Sequence, residues 1–141
     1  MNWYKKSQSD PDGSTQQRKP SYSAVVLDGP SHGALLAAMR PHIPEGWKEY
    51  AHHMTINLGP LKGDRQDLGK TVTLSARSWD SSDKAVAVAV DGYDRRMPGT
   101  AHVTVAVNTA GGGKPKDSNE LSQWKPMDRP LTLTGIVSEV P

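Results

Sequence analysis

The chain has 141 residues, 35% of them hydrophobic and 23% charged, with a net charge of +2 and no cysteine. That length suits one domain, and no apolar run approaches the ~18 residues of a membrane-spanning helix. The missing cysteine excludes disulfides, thiol nucleophiles, iron–sulfur clusters and thiolate zinc sites.

Residues 1–20 are rich in Ser, Gln, Asp and Lys and carry Pro11, Gly13 and Pro20, which predicts a flexible polar tail. Lys5, Lys6, Arg18 and Lys19 against Asp10 and Asp12 place the whole net charge there and leave the remainder balanced. The start lacks an apolar segment of the secretory kind, so a cytoplasmic location is expected. Residues 21–141 are expected to form a single compact domain. In chain order, residues 22–28 (YSAVVLD) predict a buried strand that stops at Gly29-Pro30. Ser31 then caps a helix to about Arg40, with Leu35, Leu36 and Met39 on one face, ended by Pro41 and Pro44. Residues 53–58 (HMTINL) predict the next strand, closed by Gly59-Pro60 and followed by a polar loop. Alternating patterns at 71–79, 84–90 and 101–107 predict three more strands, with a turn at Asp91-Gly92. After Gly111-Gly112-Gly113, Asp117 and Glu120 have the spacing of a capping box for a short helix ending near Trp124. Pro126 and Pro130 then break the chain before a last strand at 131–138. The order is that of an α+β domain, with two small antiparallel sheets meeting at a central cleft and one helix per half.

The chemistry concentrates in two tetrapeptides, His53-Met54-Thr55-Ile56 and His102-Val103-Thr104-Val105. Residues two apart on a strand share a face. His53 and Thr55 therefore point one way while Met54 and Ile56 point into the core, and the second strand repeats the arrangement. Side by side, the strands present two imidazoles and two hydroxyls. A neutral imidazole can take a proton from water or a ribose hydroxyl, and an imidazolium can give one to a departing oxygen. The hydroxyls can hold the non-bridging oxygens of a phosphate. This set suits phosphodiester chemistry without a metal.

Paired His-apolar-Thr-apolar motifs in two similar halves resemble the 2H phosphoesterase superfamily, also called LigT-like, over residues 22–140. The resemblance implies a bilobal α+β fold, with His53 and His102 as the acid–base pair and Thr55 and Thr104 on the phosphate. It implies a metal-independent phosphodiesterase with no cofactor, acting on 2′,3′-cyclic phosphates or 2′-linked phosphodiesters in RNA ends or small oligonucleotides. For a cyclic phosphate opened to a 2′-phosphate, it implies His102 as base and His53 as acid. Members also include phage enzymes that degrade cyclic-oligonucleotide immune signals, a second role open to this chain. The 49 residues between the two His are few for the family, as in a compact version with trimmed loops.

The alternatives are a non-catalytic nucleotide- or RNA-binding module and a structural domain with coincidental motifs. Lys114 and Ser118, in the glycine-rich stretch GGGKPKDSN, are weaker candidates for phosphate contacts. His52 falls on the strand face opposite His53, and no recognised metal-ligand spacing joins it to His53 and Asp64. Tyr50, Trp47, Trp79 and Trp124 are candidates for base stacking or for packing. The expected partner is an RNA end or a cyclic nucleotide, with no membrane and no obligate protein partner, and the expected state is a monomer.

Overall fold

A computed structural model describes residues 19–141 of the chain. Nearly all of the tail expected at residues 1–20 lies outside the described residues. The body is α+β and its strands are antiparallel throughout. They are β1 (Tyr22–Leu27), β2 (Lys48–Glu49), β3 (His53–Leu58), β4 (Thr71–Ser81), β5 (Ala85–Asp91), β6 (His102–Val107) and β7 (Lys125–Val140). The sheet runs β2-β6-β3-β1-β7-β4-β5, and β5 also pairs with β6, which closes it into a barrel. The two separate sheets expected from the sequence are thus met only loosely. The same strands form one continuous closed surface, and closure leaves few unpaired edges.

Alternation builds this barrel. Val25, Met54, Ile56, Val103, Val105, Leu133 and Val137 turn inward and are buried in one core, together with Val86 and Val88. Each full burial of such a side chain is worth about 1.5–3 kcal/mol. The single α-helix among the described residues, α1 (Gly29–Met39), adds Leu35 and Met39 to that core. Its N-cap is Asp28, whose carboxylate accepts from Ser31 N at 2.8 Å, and not Ser31 as the sequence suggests. The Ser31 hydroxyl instead accepts from Thr134 N at 2.8 Å and ties the helix start to β7.

The helix expected after Asp117 is a single 3-10 segment, Pro115–Glu120, with Asp117 accepting from Lys114 N at 2.8 Å. Pro126 and Pro130 fall within β7. Pro126 pairs with Ser78 and Leu131 with Ala76, so residues 127–130, Pro130 among them, bulge out opposite Arg77. Further along, β7 leaves β4 for β1. Gly135 lies at this corner, where a Cβ would sit 2.7 Å from both Val25 Cγ1 and Val26 O, so only glycine lets the strands approach. No helix among the described residues is long and apolar enough to cross a membrane.

Candidate active site

β3 and β6 lie side by side, and Met54 pairs with Val103. Their inward side chains fill the core. Their outward side chains, His53, Thr55, His102 and Thr104, all line one cleft of about 370 Å³ on the outer wall of the barrel. The four residues singled out by the two motifs are therefore brought together. The cleft volume is at the low end of small-ligand sites.

Each imidazole is held differently. The His53 ring packs against the Tyr22 ring of β1, with centroids 4.9 Å apart. Burial lowers its pKa, and the neighbouring His52 and His102 lower it further. His102 is held by hydrogen bonds. Its Nδ1 lies 2.7 Å from the Thr100 carbonyl, a contact that requires the proton on Nδ1 and leaves Nε2 as the titrating nitrogen. Nε2 lies 2.9 Å from the Ser118 hydroxyl, which is 2.7 Å from Thr104 Oγ1 and 2.7 Å from the Pro115 carbonyl. Burial is the main influence lowering the His102 pKa; the Thr100 carbonyl opposes it, and the Arg95 guanidinium adds to it.

Protons around Ser118 can be counted. Three contacts converge on its oxygen, and the two hydroxyls supply only two protons. With His102 neutral, either Nε2 or the Pro115 carbonyl goes without a donor. With His102 as imidazolium, every contact has one: Nε2–H and Thr104 O–H donate to Ser118, and Ser118 O–H donates to Pro115 O. The cluster is complete only when His102 carries the extra proton. Removing the hydroxyl in Ser118→Ala is therefore expected to lower the His102 pKa further, read by NMR titration of its ring protons. An unchanged midpoint would show that the contact does not bear on proton affinity.

Ser118, a candidate phosphate contact from the sequence, is buried to 1% exposure and acts on His102 and Thr104. Lys114 is exposed and is not among the residues lining the cleft; the neighbouring Lys116 is. Arg95 also lines it and was not visible from the sequence, because nothing in a polar loop marks it. It donates to Thr100 O at 2.8 Å and to Asn119 Oδ1 at 3.2 Å, bridging the loop before β6 to the 3-10 segment. Its Nε is buried without an acceptor beside the imidazole. The next residue anchors this loop. Arg96 donates to Asp67 at 2.8 Å, to Tyr93 Oη at 2.7 Å and to the Lys62 carbonyl. The Tyr93 hydroxyl, ahead of Lys70, draws the Asp67 carboxyl down to about 2, and burial and Asp67 push Tyr93 up to about 12.

His52 differs from its expected position. Strand alternation places it on the face opposite His53, yet both line the cleft. Ala51 between β2 and β3 has φ +57°, the only positive value of a non-glycine residue among those described. This left-handed residue breaks the alternation and turns the chain. Such a conformation costs on the order of 1–2 kcal/mol. It is held by Ala51 N donating to Thr104 O at 2.9 Å and by the His32 Nδ1 contact of 3.0 Å to Ala51 O. Among the other aromatics, Trp79 stacks on His42 at 3.9 Å away from the cleft, and Trp124 lies 6.4 Å from the His102 ring. Among the described residues, no three His, Asp or Glu side chains are grouped to hold a metal ion.

Neither a family model nor a curated protein matches this chain significantly.

Proposed function

We propose that the chain is a metal-independent phosphodiesterase of the 2H type, acting on 2′,3′-cyclic phosphates or 2′-linked phosphodiesters of RNA ends or small oligonucleotides. The observation that carries this reading is the convergence of two imidazoles and two threonine hydroxyls on one face of one cleft. Arg95 and Lys116 add positive charge at its wall. The phosphate docks between Thr55 and Thr104, and Thr104 O–H and His102 Nε2–H pass from Ser118 to its oxygens as it binds. One imidazole takes a proton from water as the water oxygen bonds to phosphorus. The ester P–O bond breaks with its electron pair on the leaving oxygen, which takes a proton from the other imidazole. The net change is addition of one water.

Two features favour His53 as base and His102 as acid, the reverse of the roles implied by the family resemblance. Burial and two neighbouring imidazoles lower the His53 pKa, and no hydrogen bond to a carbonyl opposes them as the Thr100 carbonyl does at His102. His102 sits in the cluster completed by an extra proton. For the same docked phosphate, the exchange of roles makes a 3′-phosphate the product. Ser118→Ala tests the assignment. Activity needs the acid protonated, so a lower His102 pKa moves the alkaline limb of the pH–rate profile to lower pH. If His102 is the base, the acid limb moves instead.

The reading itself is tested by turnover in EDTA. The panel comprises RNA with a 2′,3′-cyclic phosphate end, 2′,3′-cyclic mononucleotides, and 3′,5′- and 2′,5′-linked cyclic di- and trinucleotides. Cleavage in EDTA is expected, and the preferred substrate separates RNA end processing from degradation of a cyclic-nucleotide signal. Activity only with added metal would overturn the scheme, and tight binding of one ligand without turnover would replace it with a nucleotide-binding module.

A further inference from the structure

One wall of the cleft takes no part in the proton transfers. Tyr50 and His52 both line it, directly beside His53. The His52 ring lies parallel to that of His32, with centroids 4.9 Å apart and 4° between planes. The Tyr50 ring meets His52 edge-on at 6.3 Å and 78°. The Lys48 ammonium sits over the Tyr50 ring at 5.2 Å. His32 is itself fixed through its contact with Ala51 O. His52 is thus a flat ring backed on one face by a second ring, and it remains exposed. Burial and the neighbouring His32 lower its pKa.

The strained backbone at Ala51 gives this wall its place. A regular strand would carry Tyr50 and His52 on the face away from His53. With the left-handed residue between Tyr50 and His52, all three line the same cleft. A backed, flat aromatic surface next to a phosphate-sized cluster of donors fits a planar group attached to a phosphate ester. Stacking on such rings needs no particular edge pattern, because every base has a π-face.

We propose that Tyr50 and His52 form a nucleobase-stacking subsite, taking the base of the nucleoside whose phosphate lies between Thr55 and Thr104. This rests on the phosphodiesterase reading for the position of the phosphate. It makes the substrate a nucleotide and not a simple sugar or alkyl phosphodiester.

The test uses 2-aminopurine riboside 2′,3′-cyclic phosphate, whose fluorescence is quenched on stacking, and base-free ribose 2′,3′-cyclic phosphate. Quenching by the full chain carrying His53→Ala, where turnover does not interfere, reads binding. Adding His52→Ala is expected to weaken the 2-aminopurine ligand about 5- to 100-fold. His52→Phe, which keeps a flat ring, is expected to restore binding. In turnover, with each variant compared at its own pH optimum because His52 also lowers the His53 pKa, His52→Ala and Tyr50→Ala raise KM for the nucleotide with kcat little changed, and leave KM for the base-free substrate unaffected. Because Tyr50→Ala risks the fold, the exposed His52 is the decisive position. Equal loss on both substrates, or no loss on either, overturns the subsite and leaves the phosphodiesterase reading standing. Quenching that depends on His52 in a protein that cleaves nothing overturns the enzyme and leaves the subsite. Absence of binding to either ligand overturns both.

Discussion

Replacing either imidazole is expected to lower turnover of a 2′,3′-cyclic phosphate by about 10²–10⁴-fold, since each general acid or base step contributes on that scale. His53→Ala and His102→Ala differ in what else they disturb. His53 packs against Tyr22, so its removal leaves that ring without its neighbour. His102 anchors the Ser118 cluster, so its removal leaves Thr104 held by the Ser118 hydroxyl without the imidazole behind it. His102→Ala is therefore expected to weaken phosphate binding as well as the chemistry, with KM rising and kcat falling, whereas His53→Ala acts mainly on kcat. Steady-state kinetics in EDTA with 2′,3′-cyclic nucleotides separate the two. If one variant keeps wild-type turnover, that histidine is not part of the proton transfer and the two-histidine mechanism fails. In the wild type the pH–rate profile is expected to be bell-shaped, with macroscopic values belonging to the pair.

A large effect on stability is expected at Asp80, on β4. Its carboxylate is 3% exposed and accepts from Ser122 N at 3.1 Å, Gln123 N at 2.8 Å, Ser81 N at 2.8 Å and Lys125 Nζ at 3.0 Å. These bonds tie the segment carrying Trp124 to the barrel. Burial alone would push the carboxyl pKa up; the Gln123 N–H, Lys125 and the Ser81 N–H outweigh it and hold the pKa below its usual value. Asp80→Ala leaves buried N–H groups without acceptors and is expected to cost about 3 kcal/mol in urea unfolding. The sign of the pH dependence follows from the lowered pKa. The carboxylate contributes fully above the unfolded value of about 3.8, and its contribution fades as pH falls through the lower folded value. Asp67, held at about 2, titrates in the same sense. Wild-type stability should therefore fall as pH drops from about 4 towards 2, and the variant should lose part of that slope. A variant as stable as wild type at pH 7 would show that the segment is held by its other contacts.

The elements readable in the sequence were those whose side chains face a single environment. His53–Leu58 and Tyr22–Leu27 follow from alternation and from the Gly-Pro pairs that end them. The inward and outward division of the two motifs followed for the same reason; their meeting in one cleft depends on β3 lying beside β6. What stayed hidden depends on long-range geometry. Barrel closure depends on β5 meeting β6, and no local pattern encodes a partner strand. The positive φ at Ala51 has no sequence marker, since alanine rarely adopts it, so the direction of His52 was assigned by a periodicity the chain interrupts there. Arg95 and Lys116 reach the site from loops of ordinary polar composition. Pro126 and Pro130 suggest a break, but the strand runs on through Pro126, paired with Ser78, and carries Pro130 in a bulge opposite β4.

β1 pairs with β7 along its whole length, from Tyr22 opposite Val140 to Leu27 opposite Gly135. The earliest strand of the barrel thus waits for the latest. During synthesis on a ribosome, β1 and β3 can form a hairpin-like pair around α1 long before β7 has left the exit tunnel. The ring cannot shut until residues 135–140 emerge. Until then the open flank of β1, with its buried-type residues Ala24 and Val25, is available to other chains. A nascent protein of this kind should fold late and slowly for its size, because its decisive contacts span most of the chain. Its yield in cells should respond more to chaperone supply during translation than to the equilibrium stability of the finished barrel.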